Sequence, residues 1–284
     1  MLLSPTRLSQ LLRTDAARTI ILDVSWFMPN SPRIAKKRIS STAHMLPSRE
    51  VFAKACEKFG IEPSSRVVMY DSHGVFSSPR ALWTFKCFGH QNAAILDGGL
   101  PRWAAEGFPI ETKSPQDSTI KAKYPVPSLE SKAVRSYEEV VSNSGLIPFQ
   151  SPKAELVLDA RSRGRYLGTD PEPRPGLSSG HIPNSVSLPF NLFLENNVAK
   201  DGSAYTTFLS EPQLRAAVVD ALGLEKAQLV FDGKVSVIAS CGSGMSAAIL
   251  WLGLQSLGVK QVAIYDESWT GYALRPSSRI EKSP

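Results

Sequence analysis

A cysteine stands where strand, loop and helix signals meet in this sequence. The apolar run Val237-Ile238-Ala239 leads through Ser240 into Cys241-Gly242-Ser243-Gly244-Met245-Ser246-Ala247, and a helical pattern extends from Met245 to Leu257. A Cys so placed faces the N–H groups of the loop and the positive end of the helix, both of which favour a thiolate over a thiol. The chemistry on offer is an activated sulfur nucleophile. Gly242 and Gly244 let the loop curl so that several amides point inward and can hold an anionic sulfur or a persulfide. The same residues also fit a plainer reading, a small apolar Cys packed ahead of a Gly-rich turn. That reading suits Cys56 and Cys87 better, since both fall within amphipathic helical patterns, and no chemistry is assigned to them. A Cys-dependent phosphatase needs an Arg at the far end of its loop, where this chain has Ala247, and Ser240 replaces the expected His. Nothing near Cys241 suggests the His and peptide groove of a thiol protease.

The elements that position this loop occur twice. Ile20-Ile21-Leu22-Asp23 is repeated as Leu156-Val157-Leu158-Asp159. Val67-Val68-Met69-Tyr70-Asp71, a polar turn and a helical stretch Arg80 to Phe88 match Val237-Ile238-Ala239-Ser240-Cys241 and its helix. Ala93 to Asp97 matches Val262 to Asp266, each followed by an aromatic residue or cluster. Short apolar runs alternating with helical patterns predict parallel strands covered on both faces. The fold class is therefore α/β, with two tandem domains, each a mostly parallel sheet with helices on both faces. The Pro-rich, polar stretch Glu111 to Ser131 reads as a linker and places the domains at 1–124 and 125–284. In the first copy Asp71 takes the place of Cys241 and cannot carry sulfur, so that domain is expected to be catalytically silent. A second irregular stretch, Gly164 to Pro189, carries Arg165, Arg174 and His181, and a loop of that length inside a domain is usually functional.

Composition narrows the remaining classes. With 284 residues, 42% hydrophobic and 20% charged, the chain is long enough for two cores and too apolar for a disordered protein. No apolar run approaches the roughly 18–20 residues of a membrane span. The net charge of +6 is scattered, its densest cluster being Lys36-Lys37-Arg38, so no direct nucleic-acid partner is expected. Three cysteines without a CxxC pair support neither a disulfide framework nor a zinc site, and neither metal nor cofactor is expected. A reducing compartment suits an exposed thiolate, making the cytosol the default, with a mitochondrial location left open.

The repeated domain, the Cys241 loop and the run Gly180-His181-Ile182-Pro183-Asn184-Ser185 together resemble the tandem rhodanese family. The loop reads Cys-Gly-Ser-Gly where thiosulfate-preferring members carry two basic residues, and Asp170-Pro171-Glu172-Pro173-Arg174 has an Arg where they have an acid. Both features resemble the 3-mercaptopyruvate sulfurtransferase branch. The resemblance implies that Cys241 takes sulfur from 3-mercaptopyruvate, with thiosulfate a poorer donor, and passes it to a thiol such as thioredoxin, to cyanide or to a protein cysteine. It makes Arg165 and Arg174 the substrate-binding arginines, beside Gly242, Gly244, Met245 and Ser246. It gives Ser243 and His44 a shared proton relay. Fungal members of this type supply sulfur to the activating enzyme of a ubiquitin-like carrier used in tRNA thiolation.

The chain departs from the family before His44. The family has a longer segment there, with an acid that partners the relay His; Phe27 to Ala43 contains no acid. The first domain is thus expected to be shortened and His44 to lack its orienting carboxylate.

Overall fold

The computed structural model describes residues 1–26, 45–112 and 122–283. His44, and with it the expected relay and the segment before it, lies outside the described residues. The chain divides into two compact units: one comprises Met1–Glu130 with Asn196–Phe208, the other Ser131–Glu195 with Leu209–Pro284.

Among the described residues the main sheet of the first unit has four parallel strands, β1 (Leu2–Leu3), β2 (Thr19–Asp23), β3 (Arg66–Tyr70) and β4 (Ala93–Leu96), in the order β1-β4-β3-β2. The second holds β5 (Val134–Arg135), β6 (Leu156–Asp159), β7 (Val186–Ser187), β10 (Val237–Ser240) and β11 (Val262–Tyr265), in the order β5-β11-β10-β6-β7 and also parallel. Written side by side, the two orders are one pattern, with β7 lacking a counterpart in the first sheet among the described residues. Strands β6, β10 and β11 are buried along their whole length, as a parallel sheet covered on both faces requires. Each expected strand ending in Asp71, Asp97, Cys241 or Asp266 stops one residue sooner. The chemically distinctive residue directly follows its strand: at Cys241 the backbone N–H is taken up by Ser268 Oγ, while at Asp97 it still donates to the Leu3 carbonyl of the neighbouring strand.

The helix Ala247–Ser256 follows the Cys241 loop and is buried on almost every side. Gly253 in its middle gives up about 1 kcal/mol of helix propensity. A Cβ there would fall 2.4 Å from the Phe193 ring, so packing requires the glycine.

The expected linker is in part a packed segment. Tyr124 is buried against Phe52, and its hydroxyl meets His90 Nδ1 at 3.0 Å, so the first unit runs on past residue 124 to Glu130. His90 is a buried strut whose Nε2 meets the Ser65 carbonyl at 3.0 Å. Burial holds its pKa below the ordinary 6.5. An unfolded chain binds a proton at His90 as pH falls through 6.5 while the folded one resists, so stability is present above that pH and is lost below it. Thermal melts between pH 7.5 and 5 should show this slope in the first unit, flattened in His90→Gln.

The hairpin of β8 (Leu194–Val198) and β9 (Ala204–Phe208) lies far along the sequence, yet Asn196–Phe208 belongs with the first unit. Thr206 Oγ1 accepts from Val75 N–H at 3.1 Å, and Asp97 Oδ1 accepts from Phe208 N–H at 2.9 Å. Gly74, with φ of 108°, lies so close that a Cβ would fall 2.4 Å from the Thr206 carbonyl. Cys56 and Cys87 are buried in the first unit, and burial pushes the Cys56 thiol up to about 12, which keeps it protonated and inert.

Candidate active site

Cys241 is the first residue beyond β10, and it is buried, with 1% of its surface exposed. Its loop is pinned from below by a residue that the sequence did not single out. Ser268 Oγ accepts from the Cys241 N–H at 3.1 Å and the Gly244 N–H at 3.0 Å. Its proton is shared between the Tyr265 carbonyl at 2.8 Å and Cys241 Sγ at 3.9 Å. The Gly244 amide, expected in the sulfur cradle, is thus turned toward Ser268 by the left-handed Gly244 backbone, φ 77°. The amides of Gly242, Ser243, Met245 and Ser246 have no acceptor among the described residues and sit at the start of the helix, where an anion is favoured. The Ser243 hydroxyl is half-buried without a partner among the described residues.

Ser268 is itself strained, a non-glycine residue at φ 52°. Its counterpart in the first unit is Gly99, at φ 55°, where a Cβ would fall 2.3 Å from the Asp71 carbonyl. The register agrees: Trp269 N–H donates to the Cys241 carbonyl as Leu100 N–H donates to that of Asp71. Ser268→Ala leaves two amides and a carbonyl without their partner. It is expected to cost about 2 kcal/mol of stability and to slow sulfur uptake by roughly tenfold, read from thermal melts and single-turnover rates.

The two expected arginines do meet at this loop. A Cβ on Gly242 would fall 3.2 Å from Arg165 Nη2 and 3.8 Å from Arg174 Nη1. Arg165 projects from the short helix Arg163–Leu167, and Arg174 from the irregular loop that follows. Thr270 links Arg174 to the site: its Oγ1 donates to the Gly242 carbonyl at 2.6 Å and accepts from Arg174 Nη1 at 3.0 Å. Arg165 is held by Glu172, through Nε at 3.1 Å and Nη2 at 2.5 Å. Glu172 also accepts from Arg161 Nη1 at 2.8 Å, and Arg161 is clamped onto Asp159 and stacked 4.1 Å above the Trp269 ring. The side chains of Arg161 and Glu172 are 0% and 1% exposed. Composition and periodicity cannot reveal such a buried network.

The rest of the Gly180-His181 run supports this loop. His181 is buried, stacks 4.1 Å from Tyr166, places Nδ1 2.9 Å from the Tyr166 carbonyl and bridges to Glu281. Among the described residues no three His, Cys, Asp or Glu side chains cluster as a metal ion would need, and no helix is long and apolar enough to cross a membrane.

Comparison with known proteins agrees with this geometry. The rhodanese-like domain family matches residues 4–106 and 148–275, one copy in each half. A probable 3-mercaptopyruvate sulfurtransferase of Schizosaccharomyces pombe is 35% identical, the match covering 94% of this chain and 90% of that protein. A mitochondrial thiosulfate/3-mercaptopyruvate sulfurtransferase of Arabidopsis thaliana is also 35% identical, with 92% and 73% covered. Among solved structures, Tum1 of Saccharomyces cerevisiae superposes with a TM-score of 0.80 at 27% identity, covering 99% of this chain and 97% of that one. With both halves matched and the repeat visible in sheet order and loop register, the chain belongs to the rhodanese-like domain family.

Proposed function

We propose that the protein is a 3-mercaptopyruvate sulfurtransferase with Cys241 as nucleophile. The observation that carries this reading is the convergence of Arg165 and Arg174 on Gly242, next to the buried cysteine. Two guanidinium forks suit a carboxylate beside a ketone, and sulfurtransferases of this name are among the relatives. Cys241 Sγ attacks the donor sulfur and the carbon–sulfur bond breaks. Pyruvate leaves as its enolate and takes a proton at carbon, and Cys241 retains the sulfur as a persulfide. The amides of Gly242, Ser243, Met245 and Ser246 cradle the outer sulfur, with Ser243 and His44 as the candidate proton carriers. An acceptor thiolate then attacks the outer sulfur, the S–S bond breaks, and Cys241 leaves as thiolate.

The acceptor is a small thiol, thioredoxin, or a partner's cysteine such as that of the activating enzyme of a ubiquitin-like sulfur carrier, in a cytosolic or mitochondrial setting. The first domain, with Asp71 at the cysteine's position, carries no sulfur. Mass spectrometry after exposure to 3-mercaptopyruvate should find one added sulfur, located on Cys241. Thiosulfate should load it more slowly; a clear preference for thiosulfate would make the protein a thiosulfate:cyanide sulfurtransferase instead.

A further inference from the structure

The surroundings of the Cys241 loop contain more carboxylate than a site for anions needs. Arg161, Arg165 and Arg174 bring three positive charges, and Asp159 and Glu172 bring two negative ones, all within one connected set of contacts. Asp159 and Arg161 neutralise one another face to face. Glu172 lies between the two arginines with its side chain 1% exposed, and it occupies Nε and Nη2 of Arg165, the residue whose Nη2 reaches Gly242. These five side chains sum to one positive charge before the Cys241 thiolate is counted, and Arg174, tied to the neutral Thr270, is the cation among them not offset by an acid among the described residues. A buried carboxylate that consumes the donors of an anion-binding arginine works against anion affinity, so its presence calls for a reason other than affinity.

We propose that Glu172 is a positioning and specificity residue whose buried negative charge offsets the arginines beside the Cys241 loop, so that the site accepts a monoanionic sulfur donor and discriminates against a dianionic one. This rests on the reading of the site as a sulfur-donor pocket. A buried negative charge repels a dianion twice as strongly as a monoanion at the same place, and burial keeps solvent from screening the difference. The same carboxylate fixes the Arg165 fork through two hydrogen bonds, so positional and electrostatic effects are superimposed in any single-donor assay. A ratio of donors separates them, because a misplaced Arg165 penalises both.

The test uses the full-length protein with 3-mercaptopyruvate and thiosulfate at pH 7, below the ordinary ionisation of a thiol, so that the first donor is a monoanion and the second a dianion. The readout is the thiosulfate to 3-mercaptopyruvate ratio of kcat/KM for Cys241 persulfide formation. Glu172→Gln keeps the side chain's shape and removes its charge. It should raise the ratio by about tenfold, the gain appearing in the KM for thiosulfate, even while both absolute rates fall. Glu172→Ala also removes the charge, without burying an amide, and should raise the ratio by a comparable factor. An unchanged ratio in Glu172→Gln, with both donors losing equally, assigns Glu172 to packing and overturns the proposal. Should Glu172→Gln fail to fold, Glu172→Ala decides alone: a raised ratio supports charge matching and an unchanged one refutes it. Failure of the underlying reading looks different, since the wild-type protein would then form no persulfide on Cys241 with either donor.

Discussion

Cys241→Ser is expected to eliminate sulfur uptake, with no persulfide detectable and turnover reduced by roughly 10⁴-fold or more. The substitution is nearly isosteric in a site where the side chain is 1% exposed, so folding should survive and the loss report on chemistry. A hydroxyl at this position is neither ionised near neutral pH nor able to hold sulfur in a persulfide bond, and the loop amides do nothing to change that. Thermal stability should remain close to wild type, since Ser268 Oγ still receives the backbone N–H groups of residues 241 and 244. Retained sulfur transfer in Cys241→Ser would remove the nucleophile from the mechanism altogether. His44→Ala provides the contrast. Its neighbourhood from Phe27 to Ala43 contains no acid to orient an imidazole, so its loss should be modest. A His44 defect as severe as that of Cys241 would mean that the relay works without its carboxylate.

The parts of this site that could be read from the sequence are those fixed by local chain geometry. A short apolar strand, a Cys, two glycines and a helix form one continuous segment, so the position of Cys241 at the helix start followed from residues adjacent in sequence. The internal repeat made two copies of one mostly parallel α/β domain predictable, because the same strands and helices recur in the same order. Ser268 escaped notice because Asp266-Glu267-Ser268-Trp269 carries no glycine to signal its left-handed turn. Aligning it with Asp97-Gly98-Gly99-Leu100 would have exposed the unusual position, since Gly99 at φ 55° and Ser268 at φ 52° share one conformation. Arg161 and Glu172 were hidden for another reason. Charged residues in a polar, Pro-rich stretch look solvated, and only the burial of the loop turns them into a closed network. The hairpin segment Asn196–Phe208 was illegible because membership of a unit is set by long-range packing such as that of Gly74 on Thr206.

Asp71→Ala should destabilise the first unit by about 3 kcal/mol, the scale of removing a buried charged acceptor from several donors at once. In the copy without the loop cysteine, Asp71 Oδ2 accepts from the N–H groups of Phe76, Ser77 and Ser78 at 2.9, 3.0 and 2.9 Å and from Ser78 Oγ at 2.8 Å. Oδ1 takes the His73 N–H at 3.0 Å. The first unit thus contains an anion held by a loop and a helix start, and the anion is its own side chain. Removing it leaves these donors buried around a small cavity at the helix start, where formate matches the missing carboxylate in charge and shape. Added formate should therefore recover part of the lost stability of Asp71→Ala, read as a rise in the first unit's thermal transition that chloride at equal ionic strength does not reproduce. Hydrogen exchange at Phe76, Ser77 and Ser78 should accelerate in the variant and slow again with formate. A cost below about 1 kcal/mol without formate rescue would show that the strand–loop–helix turn of this fold does not need an anion. The comparison would then also weaken the amide cradle at Cys241, because that argument rests on the same turn receiving its negative charge from sulfur.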